Sequence, residues 1–461
     1  MTLIKSISGI RGTIGGKPNE GLTPVDIVKY SAAYATMVIA RSGKKKIVIG
    51  RDGRISGPIV EQLVCATLQS LGIHVINLGL STTPTVEMAV KYEEAGGGII
   101  LTASHNPKEW NALKLLNEKG EFISSEEGQE VLRMGDANDF TFSSVNELGI
   151  IENKDEYNQR HIDDILAHEL VDVDAIKSKN FKIVVDGINS SGSKFVPLLL
   201  SALGVSDITV LNEEINGEFA HNPEPLPDHL RELSAVIQKE QADLGIVVDP
   251  DVDRLAFVCE DGSMFGEEYT LVAVADYMLS NKSGNTVSNL SSTRALRDVT
   301  EKHGGTYSAS AVGEVNVVNK MKEVNAVIGG EGNGGIIVPE LHYGRDALIG
   351  IALFLSHLAK TNMSVSSLKK TYPNYHISKN KIQLDEGIDL RKIYAGIKEK
   401  YQKEDINEID GLKIDFENEW VHLRPSNTEP IIRIYAEGGS QTTADNIAKK
   451  IMGDISEIIK S

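Results

Sequence analysis

The 461-residue sequence holds only two cysteines, Cys65 and Cys259. Two thiols are too few for a disulfide framework or a four-thiolate zinc site, so the reading is a reducing compartment, the cytoplasm. Positive charge is also short: 47 Lys and Arg stand against 65 Asp and Glu, a formal net charge of −18. A nucleic acid would have to be held against that repulsive field, and no nucleic-acid partner is expected. Long apolar runs are missing. The N-terminal MTLIKSISGIRG lacks the apolar core of a secretory signal. The most apolar later stretch, Ala347 to Ala359, is broken by Ser356 and His357 and is too short for a bilayer core of about 30 Å, so no membrane partner is expected. Aromatic residues are scarce at 5%, but hydrophobic residues at 41% and charged residues at 24% suit a folded globular chain and exclude disorder as its main theme. At roughly 150 residues per domain the length predicts about three domains, or four if some are small.

What the sequence does have is an approximate internal repeat, in which a short β-branched strand ends in a Gly-rich or polar loop and gives way to a helical pattern. One copy opens at KIVIGRDGRISG, Lys46 to Gly57, and another at KIVVDGINSSGS, Lys182 to Ser193. A weaker third runs through NTVSNLSSTRAL from Asn285 and HGGTYSASAVG from His303. Each copy then reaches a buried-looking run that stops in a distinctive loop: GGGIILTASHNP from Gly97, ADLGIVVDPDVDR from Ala242 and NAVIGGEGNGG from Asn325. Strands alternating with helices at this spacing predict an α/β protein with mixed, largely parallel sheets, whose ligand loops lie beyond the carboxyl ends of the strands. Equivalent loops of three domains would then face one cleft. Junctions are expected in the polar stretch Ser143 to Arg160 and near Cys259 to Phe265. After Lys360 the pattern changes to a small α+β region. The expected units are 1–153, 154–256, 257–368 and 369–461.

Four loops carry chemistry. In DPDVDR, Asp249, Asp251 and Asp253 occupy every second position after an apolar run. If the strand continued, the three carboxylates would share one face and repel unless a cation joined them, and an all-oxygen donor set suits Mg²⁺. A solvated acidic turn is the bland alternative. An EF-hand is disfavoured because Arg254 stands where the loop needs Gly, and an aspartyl-nucleophile phosphatase starting at Asp249 is a weaker reading. TASHNP offers the hydroxyl of Ser104, with His105 and Asn106 beside it; a serine can carry a group covalently if a base or metal helps it ionise, although the same residues also make ordinary turns. RPSNTEP gathers Arg424, Ser426, Asn427 and Thr428, a donor density that matches the oxygens of a phosphate. GGEGNGG lets backbone approach a ligand while Glu331 and Asn333 accept hydrogen bonds from hydroxyls. Gly12 to Lys17 is not a P-loop, because Arg11 and Pro18 replace its first Gly and its Ser or Thr.

In this order and at these separations, TASHNP, DPDVDR, GGEGNGG and RPSNTEP resemble the α-D-phosphohexomutase family across essentially the whole chain. SGIRG, Ser8 to Gly12, and GRDGRISG, Gly50 to Gly57, look like its N-terminal segments. The resemblance implies three related α/β domains and a smaller α+β C-terminal domain around a central cleft. It implies that Ser104 carries a phosphoryl group, that Asp249, Asp251 and Asp253 hold Mg²⁺ together with it, and that a hexose 1,6-bisphosphate is the intermediate and activator. By the same resemblance Arg11 and Arg254 are cationic partners, Lys114 is the general acid/base, and His105 supports the serine loop. Glu331 and Asn333 would bind the sugar, and Arg424, Ser426, Asn427 and Thr428 the phosphate that is not reacting. The sugar loop has Asn333 and Gly335 in place of the Ser and His of many bacterial members and looks like the archaeal-type phosphoglucosamine mutase subgroup; Glu314 stands where other members carry basic residues. The expected reaction interconverts hexose 6-phosphate and 1-phosphate, with glucosamine phosphate first and glucose or mannose phosphate as the alternative. A sugar-phosphate phosphatase and a non-catalytic sugar-phosphate sensor are the other readings. Partners are small sugar phosphates, the protein being a monomer or homodimer.

Overall fold

The computed structural model describes residues 1–6, 9–384, 389–425 and 431–460. Ser8, Ser426, Asn427 and Thr428, singled out above, lie outside the described residues.

The first sheet has seven strands: β1 (Leu3–Ser6), β2 (Gly9–Thr13), β3 (Lys46–Arg51), β4 (His74–Leu80), β5 (Gly97–Leu101), β6 (Trp110–Leu116) and β7 (Ile151–Asn153), in the order β1-β2-β6-β5-β3-β4-β7. Side chains alternate along β3, so Ile47 and Ile49 join one core cluster and Val48 another on the opposite face. Helices Pro24–Ser42 and Gly57–Ser70 supply the first cluster and helix Thr83–Tyr92 the second. A sheet covered on both faces explains why its strands read as continuous apolar runs.

The second sheet comprises β8 (Lys182–Asp186), β9 (Asp207–Leu211), β10 (Leu244–Val248) and β11 (Leu255–Cys259), ordered β11-β10-β8-β9. The third comprises β12 (Asn285–Asn289), β13 (Tyr307–Ser310), β14 (Ala326–Glu331) and β15 (Gly335–Ile337), ordered β13-β12-β14-β15. Both repeat the plan of β4-β3-β5-β6: three parallel strands, then a fourth that returns antiparallel beside the third. The expected repeat is therefore present, and the distinctive loop of each copy is the same hairpin turn, at the carboxyl end of the third parallel strand. The division expected at 256/257 falls inside β11, which pairs with β10 along its whole length, so the second sheet runs to Cys259.

The fourth sheet is wholly antiparallel: β16 (His376–Gln383), β17 (Asp405–Asn407), β18 (Leu412–Asp415), β19 (Trp420–Pro425) and β20 (Ile431–Gly438), ordered β16-β20-β19-β18-β17. Helices Leu390–Lys400 and Gln441–Lys460 cover it with an apolar cluster of their own. The apolar stretch at Ala347 is helix Ala347–Thr361, buried all round in a core cluster shared by the second and third units. Among the described residues no helix is long and apolar enough to cross a membrane.

Candidate active site

The three hairpin turns converge. Ser104, in the turn between β5 and β6, has φ 49°, a left-handed conformation unusual for a residue with a side chain. Its amide donates to Thr102 Oγ1 at 2.9 Å, and its Oγ donates to Asp249 Oδ2 at 2.7 Å, in the turn between β10 and β11. That second turn is not a continued strand, as the alternate spacing suggested. Val252 also takes a positive φ, 63°, and the chain curls so that the Asp253 and Arg254 amides donate to Asp249 Oδ1. Two β-carbon-bearing residues thus hold a left-handed backbone in equivalent turns.

The curl gathers Asp249, Asp251 and Asp253 into one buried cluster whose oxygens lie within 4.8 Å of one another. Lys114, on the return strand β6, places Nζ 2.7 Å from Asp251 Oδ2 and 3.2 Å from Asp253 Oδ2. Thr83 donates to the same Asp251 oxygen at 2.6 Å. Burial, with Asp253 and Asp251 beside it, pushes the Asp249 carboxyl well up. Asp253 goes the other way: burial opposes its charge, but Arg345, Lys114 and Arg254 hold it far below the usual carboxylate range. Burial likewise works against the Lys114 ammonium, and Asp251 and Asp253 more than offset it, so its pKa is raised. Asp251 Oδ1 and Asp253 Oδ1 are buried without a hydrogen-bond partner. Orphaned carboxylate oxygens beside a serine hydroxyl fit a hard divalent cation with oxygen ligands.

Two arginines that the sequence patterns did not single out hold the frame. Arg54, fully buried, pairs with Asp52 at 3.0 Å and donates to the carbonyls of Ser104, Asn106, Pro107 and Trp110, clasping the serine turn from behind. His105 lines the cleft, its buried Nδ1 without a hydrogen bond, and burial with Arg254 and Arg11 nearby lowers its pKa to about 2. Arg345 contacts Asp253, Glu314 and Glu331. Arg11, on β2, donates to Asn106 Oδ1 at 2.9 Å, and Arg254 Nε stands 4.0 Å from Asp249 and 3.9 Å from Asp253.

Beyond the turns lies a cleft to which all four units contribute: His105, Arg254, Glu331 and Asn333 from the first three, Lys379, Arg424 and Arg433 from the fourth. Arg424 pairs with Asp410 at 2.8 Å. Glu314, which stands where other members carry basic residues, turns its carboxylate to Arg345. A second cluster, His161, His342 and Asp346, is fully buried away from this cleft. Its Asp346 Oδ2 already bonds both imidazoles, and Oδ1 caps helix Ala347–Thr361, so it reads as a structural knot between units.

Successive segments of the chain, residues 3–142, 159–262, 266–375 and 381–453, match the phosphoglucomutase/phosphomannomutase alpha/beta/alpha domains I, II and III and the C-terminal domain. The chain belongs to this family, the α-D-phosphohexomutases. Among the relatives of this phosphohexomutase, a phosphoglucomutase/phosphomannomutase of Thermococcus kodakarensis is 35% identical, with 94% of this chain and 95% of the relative covered. A phosphoglucosamine/phosphogalactosamine mutase of Sulfurisphaera tokodaii is 33% identical over 96% and 97%. A crystal structure of a phosphoglucomutase/phosphomannomutase family protein from Burkholderia thailandensis superposes with a TM-score of 0.85 at 24% identity, covering 99% of this chain and 97% of that one, and shares the fold. The protein is accordingly an isomerase of a metal-dependent family, and its acidic triad is able to hold a metal.

Proposed function

We propose that this phosphohexomutase interconverts the 6- and 1-phosphates of a hexose through a phosphoryl group carried on Ser104, with glucosamine phosphate as the preferred substrate. The observation that carries the reading is the Ser104 hydroxyl, held in a strained turn 2.7 Å from Asp249 inside the buried carboxylate cluster. Asp249, Asp251 and Asp253 would hold Mg²⁺ with the serine oxygen, and the cation would offset charge on the transferring phosphoryl group.

In the forward step the bond from Ser104 Oγ to phosphorus breaks as a bond from a sugar hydroxyl oxygen to the same phosphorus forms. The hydroxyl proton is in effect passed to the serine oxygen as it leaves, with Lys114 the candidate general acid/base: its ammonium, held between Asp251 and Asp253, would give a proton to Ser104 Oγ and take up the one the sugar hydroxyl loses, and Arg11 and Arg254 face the charge on the phosphoryl oxygens. The resulting hexose 1,6-bisphosphate turns over in the cleft and returns its other phosphoryl group to Ser104, so the serine ends as it began. His105 shapes the cleft wall beside the serine. Glu331 and Asn333 would take sugar hydroxyls, and Arg424 with Ser426, Asn427 and Thr428 would grip the distal phosphate, bidentate at the guanidinium. The carboxylates Glu224 and Glu331 on the cleft wall suit an ammonium at C2 of the sugar, which favours glucosamine. The Thermococcus relative's name favours glucose or mannose phosphate as the second reading. A phosphatase using Asp249 is disfavoured, because both of its oxygens are engaged, one by two backbone amides and the other by Ser104.

The test is interconversion of the 1- and 6-phosphates of glucosamine, glucose and mannose, with Mg²⁺ and a trace of the hexose bisphosphate to charge the serine. The highest kcat/KM is expected with glucosamine phosphate, and Ser104→Ala is expected to abolish turnover with its circular dichroism unchanged. Wild-type turnover in that variant rejects the phosphoserine, and phosphate release without isomerisation reverses the choice between mutase and phosphatase.

A further inference from the structure

One guanidinium joins the carboxylate cluster to the sugar loop. Arg345 Nη2 donates to Asp253 Oδ2 at 2.7 Å, and Nη1 donates to Glu331 Oε2 at 2.8 Å. Its Nε lies 2.9 Å from Glu314 Oε2. All four side chains are buried. The backbone that carries Arg345 is fixed on both sides: its own amide donates to Glu314 Oε1, and the next residue, Asp346, is locked by His161, His342 and the start of helix Ala347–Thr361. The sugar loop presses onto it so closely that a side-chain carbon at Gly335 would sit 2.3 Å from Arg345 Cδ. The guanidinium is therefore a planar fork with a carboxylate at each of its three nitrogens.

The way its partners use their oxygens matters. Asp253 gives Oδ2 to Arg345 and Lys114 and leaves Oδ1 without a bond. Glu331 gives Oε1 to Asn289 and the Gly313 amide and Oε2 to Arg345. A carboxylate accepts about four hydrogen bonds, so Glu331 keeps room for a hydroxyl from the cleft it lines. Each carboxylate thus offers the arginine one face and a ligand the other. Fixing Asp253 from the ligand side fixes the fork, and the fork fixes Glu331.

We propose that Arg345 is a positioning residue that couples the metal-binding carboxylates to the sugar loop, so that cation and sugar phosphate bind cooperatively. The inference rests on the roles proposed above for the Asp cluster and Glu331. Coupling is reciprocal: the cation tightens the sugar phosphate by the factor by which the sugar phosphate tightens the cation.

Calorimetric titration of the full-length protein with glucosamine 6-phosphate, with and without Mg²⁺, reads the coupling as a ratio of two dissociation constants. The wild-type protein is expected to show a ratio of about fivefold or more. Arg345→Lys keeps the charge but loses the fork, and its ratio is expected to fall to near one with circular dichroism unchanged. Arg345→Gln, which loses both, is the second variant should the lysine protein not fold, with the same expectation. A wild-type ratio of one with both ligands binding overturns the coupling and leaves the proposed site intact. A folded variant that keeps the wild-type ratio also overturns it, reducing Arg345 to a structural ion-pair centre. If Mg²⁺ or the sugar phosphate does not bind the wild-type protein at all, the site reading falls and the coupling falls with it.

Discussion

A serine in a left-handed turn is only as well aimed as whatever holds the turn, and here that is Arg54. Its guanidinium donors go to Asp52, to the carbonyl of Ser104 and to three carbonyls that follow it, so it sets where the hydroxyl stands without reaching the cleft. A lysine there would keep one charge and lose the fork. Arg54→Lys is expected to lower kcat by about a hundredfold, the cost of a displacement near 1 Å at the reacting atom, while KM moves little. Steady-state kinetics beside a circular dichroism spectrum checks this, and a rise in KM at unchanged kcat would contradict it. The sequence drew attention to the segment containing Arg54 but not to the residue, because the carbonyls it holds lie 50 to 56 positions away. Arg345 was equally hidden, with Asp253 92 positions off. Ser104, Asp249, Asp251 and Asp253 were legible because hydroxyl and carboxylate chemistry sits in short local patterns; the cations that organise them act only through the folded chain.

The hairpin after the third parallel strand is the element that carries the candidate site. It recurs in three sheets, with Ser104 in one turn, the aspartates in another and Asn333 beside Glu331 in the third. The repeat and the loops could be seen beforehand as β-branched runs ending in polar turns. The curl of the second turn could not, since nothing local announces that Val252 will take a positive φ. The fourth sheet makes its own contact with the third unit: Ser291, just after β12, lies 2.8 Å from His422 Nδ1 on β19, whose Nε2 meets the Asp410 carbonyl. Burial pushes the His422 pKa from 6.5 down to about 4; the Asp410 carbonyl opposes the shift and Lys413 adds to it. The unfolded chain takes up this proton near pH 6.5 and the folded one near 4, so the stability tied to neutral His422 is full above 6.5 and is lost as pH falls through that window. Calorimetric scans should show the unfolding temperature falling between pH 6.5 and 4, with a shallower fall in His422→Gln. Equal slopes in the two proteins would show that His422 does not report this contact.

At the scale of the molecule all four units bring side chains to the cleft. A ligand that spans it binds the native arrangement and not the unfolded chain, which stabilises by about 2.7 kcal/mol at a hundred times its dissociation constant. Hexose 1,6-bisphosphate with Mg²⁺ is therefore expected to raise the calorimetric transition of the fourth unit together with those of the others. A shift confined to the first three would place the distal phosphate away from Arg424. Three α/β units were legible from the spacing of the repeat, and a smaller fourth from the change of pattern after Lys360. The fusion of the second and third units was not, because helix Ala347–Thr361 is apolar on every side and gave no face to assign. The fourth unit keeps a core of its own, whereas the second and third share a single core through that helix, so heat or denaturant is expected to melt the second and third as one cooperative block and the fourth on its own terms.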